Sequence, residues 1–344
     1  MSEYVAFLTI LLVSFILNYF LHKVPILKDR KKSLIHKSFT DSRSKPPFSG
    51  GILLLIYLVI FLPSEYNLLK IFCFIIFLIG FFSDLEIFKS PNLRFFVQLF
   101  TIIIFVILTG TFIDSVKISF IDLILKNFIF KVFFVTFCFM ILINGSNFID
   151  GVNTLAIGYY VLILFFLQNI DLNFNDQILS LNISKLILFL LIPLFILNFF
   201  NLLYLGDNGA YLISFIVGFL LINIEKNNAS ISPYYIVNLL WYPAFENLFS
   251  ILRKLKNKTS VLEPDNLHLH QLIFLFLKRN IKNNRITNTL TGCAINIYNF
   301  IIFYMATQDY SNTKYQLTLI FISIFIYSAA YVVLKKDLKN DCIK

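Results

Sequence analysis

A polar stretch containing amides, glycines and one carboxylate separates two long apolar segments at Asn144–Ala156, which reads NGSNFIDGVNTLA. Asn147 and Asp150 are three residues apart, so both project from one face if this stretch is helical. The asparagine offers a neutral donor and acceptor, and the aspartate offers an oxygen ligand for a metal ion. Because unpaired polar groups are unfavourable in hydrocarbon, such a stretch indicates a binding site. A short solvated turn explains the same residues, since Asn-Gly and Asp-Gly are turn signals.

Two further carboxylates lie where apolar segments end or begin. Asp84 directly follows an apolar run, where it could meet a cation at the membrane surface. The alternative is a polar helix end, with Ser90-Pro91 as the start of the next helix. Asp207 lies between two nearby glycines, so its backbone can approach another group closely. It is either the cap of the following helix or a Mg²⁺ ligand, since Mg²⁺ at phosphate sites takes one or two carboxylates plus waters and substrate oxygens.

Two of the chain's four histidines, His268 and His270, lie in a long loop that also carries many Lys and Arg residues. In an extended segment, His-x-His places both imidazoles on one side. Zinc is disfavoured because no third and fourth soft ligand is near in sequence. The pair is better suited to contact a phosphate or a nucleotide. A surface pair without such a role is the alternative.

The loop 22–49 carries basic residues that include Lys45, and it closes with the turn sequence PPFSGG. Such a loop anchors a protein to anionic lipid headgroups. The alternative is a lid over a phosphorylated substrate. The two prolines and two glycines predict a fixed approach into the next helix.

The elements that position these residues are membrane helices. The chain has 344 residues, of which 58% are hydrophobic and 14% charged, whereas a soluble protein has about 25% charged residues. The net charge of +10 does not indicate nucleic-acid binding, because the positive residues lie between apolar segments and are typical of topology signals. The four cysteines form no C-x-x-C and predict neither a disulfide framework nor a zinc site.

Eleven apolar segments predict an all-α, polytopic membrane protein that forms a single domain over residues 1–344. They are 4–21, 50–63, 68–82, 95–109, 128–143, 155–169, 185–200, 211–224, 234–252, 290–306 and 316–334.

The distribution of positive residues orients these helices. With the N-terminus periplasmic and the C-terminus cytoplasmic, 22 of the 29 Lys and Arg residues lie inside, as the positive-inside rule requires. The inside loops are then 22–49, 83–94, 144–154, 201–210 and 253–289, and these carry every residue singled out above. Carboxylates that hold Mg²⁺, surrounded by cations, are what phosphoryl transfer requires. Without a Walker-type or kinase motif, chemistry driven by ATP is not indicated.

Four of these loops together resemble the polyprenyl-phosphate N-acetylhexosamine-1-phosphate transferases, which form glycosyl transferase family 4. Asn144–Ala156 is similar to the family's Asn-x-x-Asn-x-x-Asp-Gly signature, and Gly206–Ala210 to its Gly-Asp-x-Gly-Ser/Ala turn. Pro264–Leu272 is similar to its Pro-Asp-x-x-His-x-His-x-Leu loop. Ser83–Gln98 resembles its Asp-Asp stretch with Ser-Pro, Arg and Gln. The basic first loop also resembles that of the family.

The resemblance implies an enzyme in a bacterial plasma membrane. There, undecaprenyl phosphate attacks the β-phosphorus of a UDP-N-acetylhexosamine, with Mg²⁺ or Mn²⁺ as cofactor, and UMP is released. It implies catalytic roles for three carboxylates, two of which would hold the metal, namely Asp207 and Asp150. The third, Asp84, would lie near the lipid phosphate. The implied substrate-binding residues are Asn144, Asn147, His268, His270, Arg94 and Lys45. The expected partners are the two substrates and membrane lipid, without nucleic acid, and a homodimer is left open.

Two positions depart from the family pattern. Ser83 stands where the family has the first of two aspartates, and Asn153 stands where many members have a second aspartate. A single His-x-His, followed by Gln271, favours the branch that initiates polysaccharide or O-antigen synthesis. Two alternatives stay open: an inactive family member, which Ser83 favours, and a multi-helix transporter or scramblase, which should show charged residues at mid-membrane depth.

Overall fold

The computed structural model describes residues 3–28, 46–170, 178–260 and 267–341, and over these ranges the protein is all-α. Its only β-type pairing there is an isolated bridge between Lys28 and Pro47. The helices are α1 (Glu3–His22), α2 (Gly50–Phe61), α3 (Asn67–Asp84), α4 (Pro91–Thr109), α5 (Ser119–Leu125), α6 (Phe128–Ile149), α7 (Leu155–Leu167), α8 (Ile178–Phe199), α9 (Gly206–Lys226), α10 (Pro233–Lys256), α11 (Leu269–Lys278), α12 (Asn284–Gln308) and α13 (Thr313–Asp341).

Each of the eleven predicted segments coincides with a helix, which confirms a polytopic membrane protein. Seven helices in the described residues are long and apolar enough to cross a membrane: α3, α4, α6, α8, α9, α12 and α13. The apolar parts of α1, α2 and α7 are shorter. Helix α10 has 24 residues, but it carries Glu246 and a basic last turn, which lower its hydropathy.

Helix α9 forms the centre of the bundle. Its span is 83% buried inside the protein, whereas the spans of α4 and α13 are only 22% buried and present their remaining surface to lipid. Around α9, Phe215 packs against Phe105 and Phe139 with ring centroids 4.7 and 5.6 Å apart. Buried aromatic pairs in these edge-on and tilted geometries stabilise a core beyond their buried area.

The helix ends differ from the prediction. Helix α6 continues to Ile149, so the polar residues from Asn144 onwards lie in its last turns and not in a loop. Helix α9 already begins at Gly206. Two short helices, α5 and α11, were not predicted from the sequence. Polar residues extend these helices because neighbouring chain segments, described below, supply their hydrogen-bond partners.

Two glycines allow α2 and α3 to approach the start of α9. A Cβ atom added to Gly80 would lie 2.5 Å from the Cα atom of Asn208, and Gly51 lies equally tightly against Asn208. Real Cβ atoms do not tolerate such distances, so a larger residue must push the helices apart. The glycines therefore set the distance between α3 and the N-terminus of α9.

We expect Gly80→Ala to lower the melting temperature of the detergent-solubilised protein, at a loss of about 1–3 kcal/mol from overpacking. The control is Ile71→Ala, which removes a larger but lipid-exposed side chain from the same helix. Equal melting temperatures for Gly80→Ala and the wild type would contradict the close approach of the two helices.

Candidate active site

The five predicted inside loops meet at one end of the bundle. This agrees with the prediction that they lie on the same side of the membrane. The chain around Pro47 pairs with the α8–α9 connection: Tyr204 N–H donates to Pro47 O at 2.9 Å, and Gly50 N–H donates to Tyr204 O at 3.1 Å. The other contacts between loops are described below, and the α8–α9 connection takes part in most of them. Lys45 lies outside the described residues, so its predicted substrate contact stays a prediction.

The carboxylate of Asp84 caps helix α9. Its Oδ1 accepts the Asp207 N–H at 3.0 Å, and its Oδ2 accepts the N–H of Asn208 at 3.0 Å and the side-chain amide of Asn208 at 2.6 Å. The first N–H groups of a helix have no partner within the helix, and the helix dipole favours negative charge there. Asp84, and not Asp207, therefore supplies the cap that the sequence predicted at this turn.

Asp207 is held by two residues from the α3–α4 region. Ser83 Oγ donates to Asp207 Oδ2 at 2.5 Å, and Arg94 Nη1 forms an ion pair with the same oxygen at 3.3 Å. Arg94 also donates to Ser83 Oγ through a short hydrogen bond. The side chain of Asp207 is 13% exposed and that of Arg94 28%, so the group lies at the protein surface without being fully solvated. The structure thus brings Asp84, Arg94 and Asp207 together at one end of the bundle.

The end of α6 presents its predicted polar residues on one side. Asn144, Asn147 and Asp150 are half-buried, whereas Gly145, Ser146 and Ile149 between them are buried. The Asn144 side chain donates to Met140 O at 2.8 Å, within its own helix. Asp150 is the residue that ends the helix, with its N–H bonded to Ser146 O. The i, i+3 spacing thus places Asn147 and Asp150 on one face, as expected for a helix.

Asn153 points into the protein. Its side-chain amide donates to Asn201 Oδ1 at 3.0 Å, and its backbone N–H donates to Asn288 Oδ1 at 2.6 Å. The next residue, Thr154, adopts φ +69° and is held by Asn198 through its N–H. An aspartate at position 153 has no N–H to donate to Asn201. Asn153 thus takes part in the packing between these chain segments, whereas Asp150 lies at the end of α6.

The two histidines approach the end of α6. His268 immediately precedes α11 in an extended conformation, while His270 lies in the first turn of that helix, so the predicted extended segment is wrong. The imidazole rings are nevertheless nearly parallel, 5.7 Å apart, and the Phe148 ring lies 5.1 Å from that of His268. His270 Nε2 packs directly against Gly151, where no side chain would fit.

His270 is a buried histidine that is kept neutral. It is 1% exposed, and neither ring nitrogen has a hydrogen-bond partner among the described residues. Burial lowers the pKa of His270 to about 3, and the neighbouring His268 acts in the same direction. A buried polar group without a partner is unfavourable, which makes His270 a candidate for a ligand contact.

The oxygen donors at this end suit Mg²⁺ better than zinc. Over the described ranges, no group of three or more His, Cys, Asp or Glu residues could hold a metal ion. Mg²⁺ needs only one or two protein carboxylates when substrate phosphates and waters complete its shell. Asp207 and Asp150 thus remain predicted ligands, and Arg94 competes for Asp207 in this structure.

A sequence model of the family described as glycosyl transferase family 4 matches residues 66–225. That region contains Asp84, Arg94, Asp150 and Asp207. The chain is also 23% identical over 284 residues to a Bacillus subtilis (strain 168) protein described as "Probable undecaprenyl-phosphate N-acetylglucosaminyl 1-phosphate transferase". The alignment covers 79% of this chain and 76% of that protein.

Residues 66–225, slightly less than half of the chain, are thus similar to glycosyl transferase family 4.

The match to glycosyl transferase family 4 ends before α10, and one buried residue beyond it was not predicted as part of the site. Glu246 is fully buried in α10 and contacts His268. A carboxylate within the predicted span 234–252 is a signal of function, since ionisable residues in membrane segments are unfavourable unless paired. Asn208 was also missed, since an amide beside Asp207 carries no distinctive signal.

The buried state of His270 predicts a stability change with pH. The pKa of His270 is about 3 in the folded protein and about 6.5 when unfolded, so the unfolded state binds more protons between these values. Folding stability therefore falls as the pH drops below about 6.5, by about 2 kcal/mol at about pH 5. We expect His270→Gln to reduce this loss in thermal melting measured between about pH 7 and pH 5.

The control for His270 is His22→Gln, which changes an exposed histidine at the end of α1. It should melt with the pH dependence of the wild type. If His270→Gln retains the full loss on acidification, His270 is not the group that is kept neutral.

The contacts of Ser83 predict a metal-dependent variant. Ser83→Asp places a second carboxylate beside Asp207, and like charges in contact repel unless a cation lies between them. We expect this variant to melt below the wild type in EDTA and to gain more stability on addition of Mg²⁺.

The matched control for Ser83 is Ser90→Asp in the same loop, because Asp also serves as an N-cap for α4. It should show no added Mg²⁺ dependence. Identical Mg²⁺ responses of Ser83→Asp and the wild type would mean that position 83 does not adjoin a cation site.

Proposed function

We propose that this protein transfers an N-acetylhexosamine 1-phosphate from a UDP-sugar to undecaprenyl phosphate, with release of UMP, in a bacterial plasma membrane. The observation that carries the proposal is that Asp207 with Arg94, and Asp150 with the histidine pair, lie at the same end of a membrane helix bundle. At that end, a lipid phosphate held by its chain in the membrane can meet a water-soluble nucleotide. The B. subtilis relative is described as a probable N-acetylglucosaminyl 1-phosphate transferase, which supports the same reaction.

The reaction needs charge neutralisation and alignment more than proton removal. A phosphate oxygen of the lipid forms a bond to the β-phosphorus of the UDP-sugar, and the bond from that phosphorus to the UMP oxygen breaks. A phosphate monoester has its second pKa near about 6, so it is already largely dianionic at neutral pH. Ser83 is therefore compatible with activity, although its hydroxyl cannot replace a carboxylate as a base.

Three groups would act on the phosphates. Arg94 brings a fixed positive charge beside Asp207, and charge placed where it develops in the transition state is the main source of catalysis in phosphoryl transfer. Neutral His270 offers a ring nitrogen to a phosphate oxygen. Mg²⁺, held by Asp207 and Asp150, would neutralise the diphosphate charge when bound. Asn144 and Asn147 would position the nucleotide or sugar from the adjoining face of α6.

An apolar cavity of about 230 Å³ between α6, α9 and α10 supports a lipid substrate. Its lining runs from Val116, Glu225 and Pro233 at the opposite end of the bundle to Ile141 and Leu248 towards the site. Ile141 is one helical turn from Asn144, so a chain lying in the cavity would have its phosphate near the polar end of α6.

The direct test is UMP release by purified protein with undecaprenyl phosphate, Mg²⁺ and a panel of UDP-N-acetylhexosamines. We expect release that requires lipid, donor and metal, and that stops in EDTA. Asp207→Asn should lower the rate by about 100-fold or more, because it removes the charge held between Arg94 and Ser83.

The control is Asp122→Asn, which changes a carboxylate in α5 at the opposite end of the bundle and should leave the rate unaltered. Absence of release with every donor, from protein that melts cooperatively, would favour an inactive family member that serves as a binding partner. The observation that favours this second candidate is Ser83.

A further inference from the structure

A buried carboxylate beyond the family match lies behind His268. Glu246 in α10 is 0% exposed and accepts three hydrogen bonds. One comes from His268 Nδ1 at 2.8 Å, one from the Tyr327 hydroxyl in α13 at 2.7 Å and one from the Leu269 N–H at 3.4 Å. Three converging donors are the environment of an ionised, acceptor-only carboxylate.

This arrangement fixes the histidine ring. Because the carboxylate accepts and cannot donate, the proton on His268 lies on Nδ1. The nitrogen left to face a ligand is then Nε2, and because a diphosphate oxygen only accepts hydrogen bonds, a bond to it requires a proton on Nε2 as well. The Phe148 ring, with its centroid 5.1 Å from that of the imidazole, packs against it and limits its rotation.

The backbone near His268 is held by other groups. Arg253 Nη1 donates to Leu267 O at 2.6 Å, and the His268 N–H donates to Gln271 Oε1 at 3.0 Å. Glu246 is thus not needed to keep this segment in place, apart from the long bond to Leu269. A buried ion pair is also weak evidence that its residues stabilise the fold, since replacing such a pair by apolar residues of similar volume often leaves the stability unchanged.

We propose that Glu246 is a positioning residue for His268: it holds Nδ1 of the ring and so directs Nε2 towards the diphosphate of the donor. The inference deepens the proposed transfer reaction and relies on it for the kinetic test only. Tyr327 completes the carboxylate's hydrogen bonds and links the C-terminal helix to the site.

The kinetic test is a double-mutant cycle. We expect His268→Gln to lower kcat/KM roughly 100-fold and Glu246→Gln roughly 10-fold. The double variant should be no slower than His268→Gln, because Glu246 acts only through that ring. A roughly 1000-fold loss in the double variant, the product of independent effects, would overturn the proposal.

The matched control is Asn247→Ala. Asn247 is the buried neighbour of Glu246, and its amide donates to Ile141 O at 3.1 Å without touching His268. Its effect should multiply with that of His268→Gln. Glu246→Asp serves as a second variant if Glu246→Gln does not fold: it keeps the charge but withdraws it from Nδ1, so it should show the same coupling to His268.

A second measurement does not depend on activity. The chain has only four histidines, so the ¹⁵N ring resonances can be assigned by His→Gln variants. We expect His268 to show a protonated Nδ1 in the wild type, and Glu246→Gln to move the resonances of His268 but not those of His22. An unchanged His268 signal would overturn the proposal even if transfer activity is found. A changed signal without any transfer would uphold the contact and reject the reaction.

Discussion

The carboxylate of Asp84 at the N-terminus of α9 is the interaction on which the site depends. Helix α9 is the most enclosed of the spanning helices, and its first N–H groups face other protein segments instead of open water. Such groups need an acceptor, and a charged acceptor gains further from the helix dipole. Because Asp84 bonds to the backbone of Asp207 itself, the cap also fixes where the Asp207 side chain begins.

The same requirement for partners explains why polar residues gather at one end of the bundle. A membrane core offers no water to an unpaired amide, so buried amides must bond to each other or to backbone. The α8–α9 and α6–α7 connections do so through Asn153, Asn198, Asn201 and Asn288. These amides hold in place the connections next to Asp150 and Asp207. Polar loops can therefore stay ordered in a chain that otherwise faces lipid.

The fold was largely predictable, because apolar segments of membrane length are a strong signal and their alternation assigns loops to sides. The helix ends were less predictable. The sequence Asn144–Ile149 is typical of a loop, yet it continues α6 because adjacent elements enclose Gly145 and Ser146. The three carboxylates were found from their positions at helix ends. Glu246 was not assigned to His268 since the two lie 22 residues apart, and no local pattern reveals which surfaces of α10 and α11 meet.

Position 83 shows how a departure from a motif can be accommodated by geometry. A hydroxyl accepts one hydrogen bond and donates another, so Ser83 links Arg94 to Asp207 without adding charge. An ionised aspartate could accept from Arg94 but could not donate to Asp207, and the two carboxylates would repel unless a cation separated them. The observed contacts are therefore specific to a hydroxyl. They leave Arg94 paired with a single carboxylate. This part of the site is therefore less negative, and repels the phosphates of a substrate less, than it would with an aspartate at position 83.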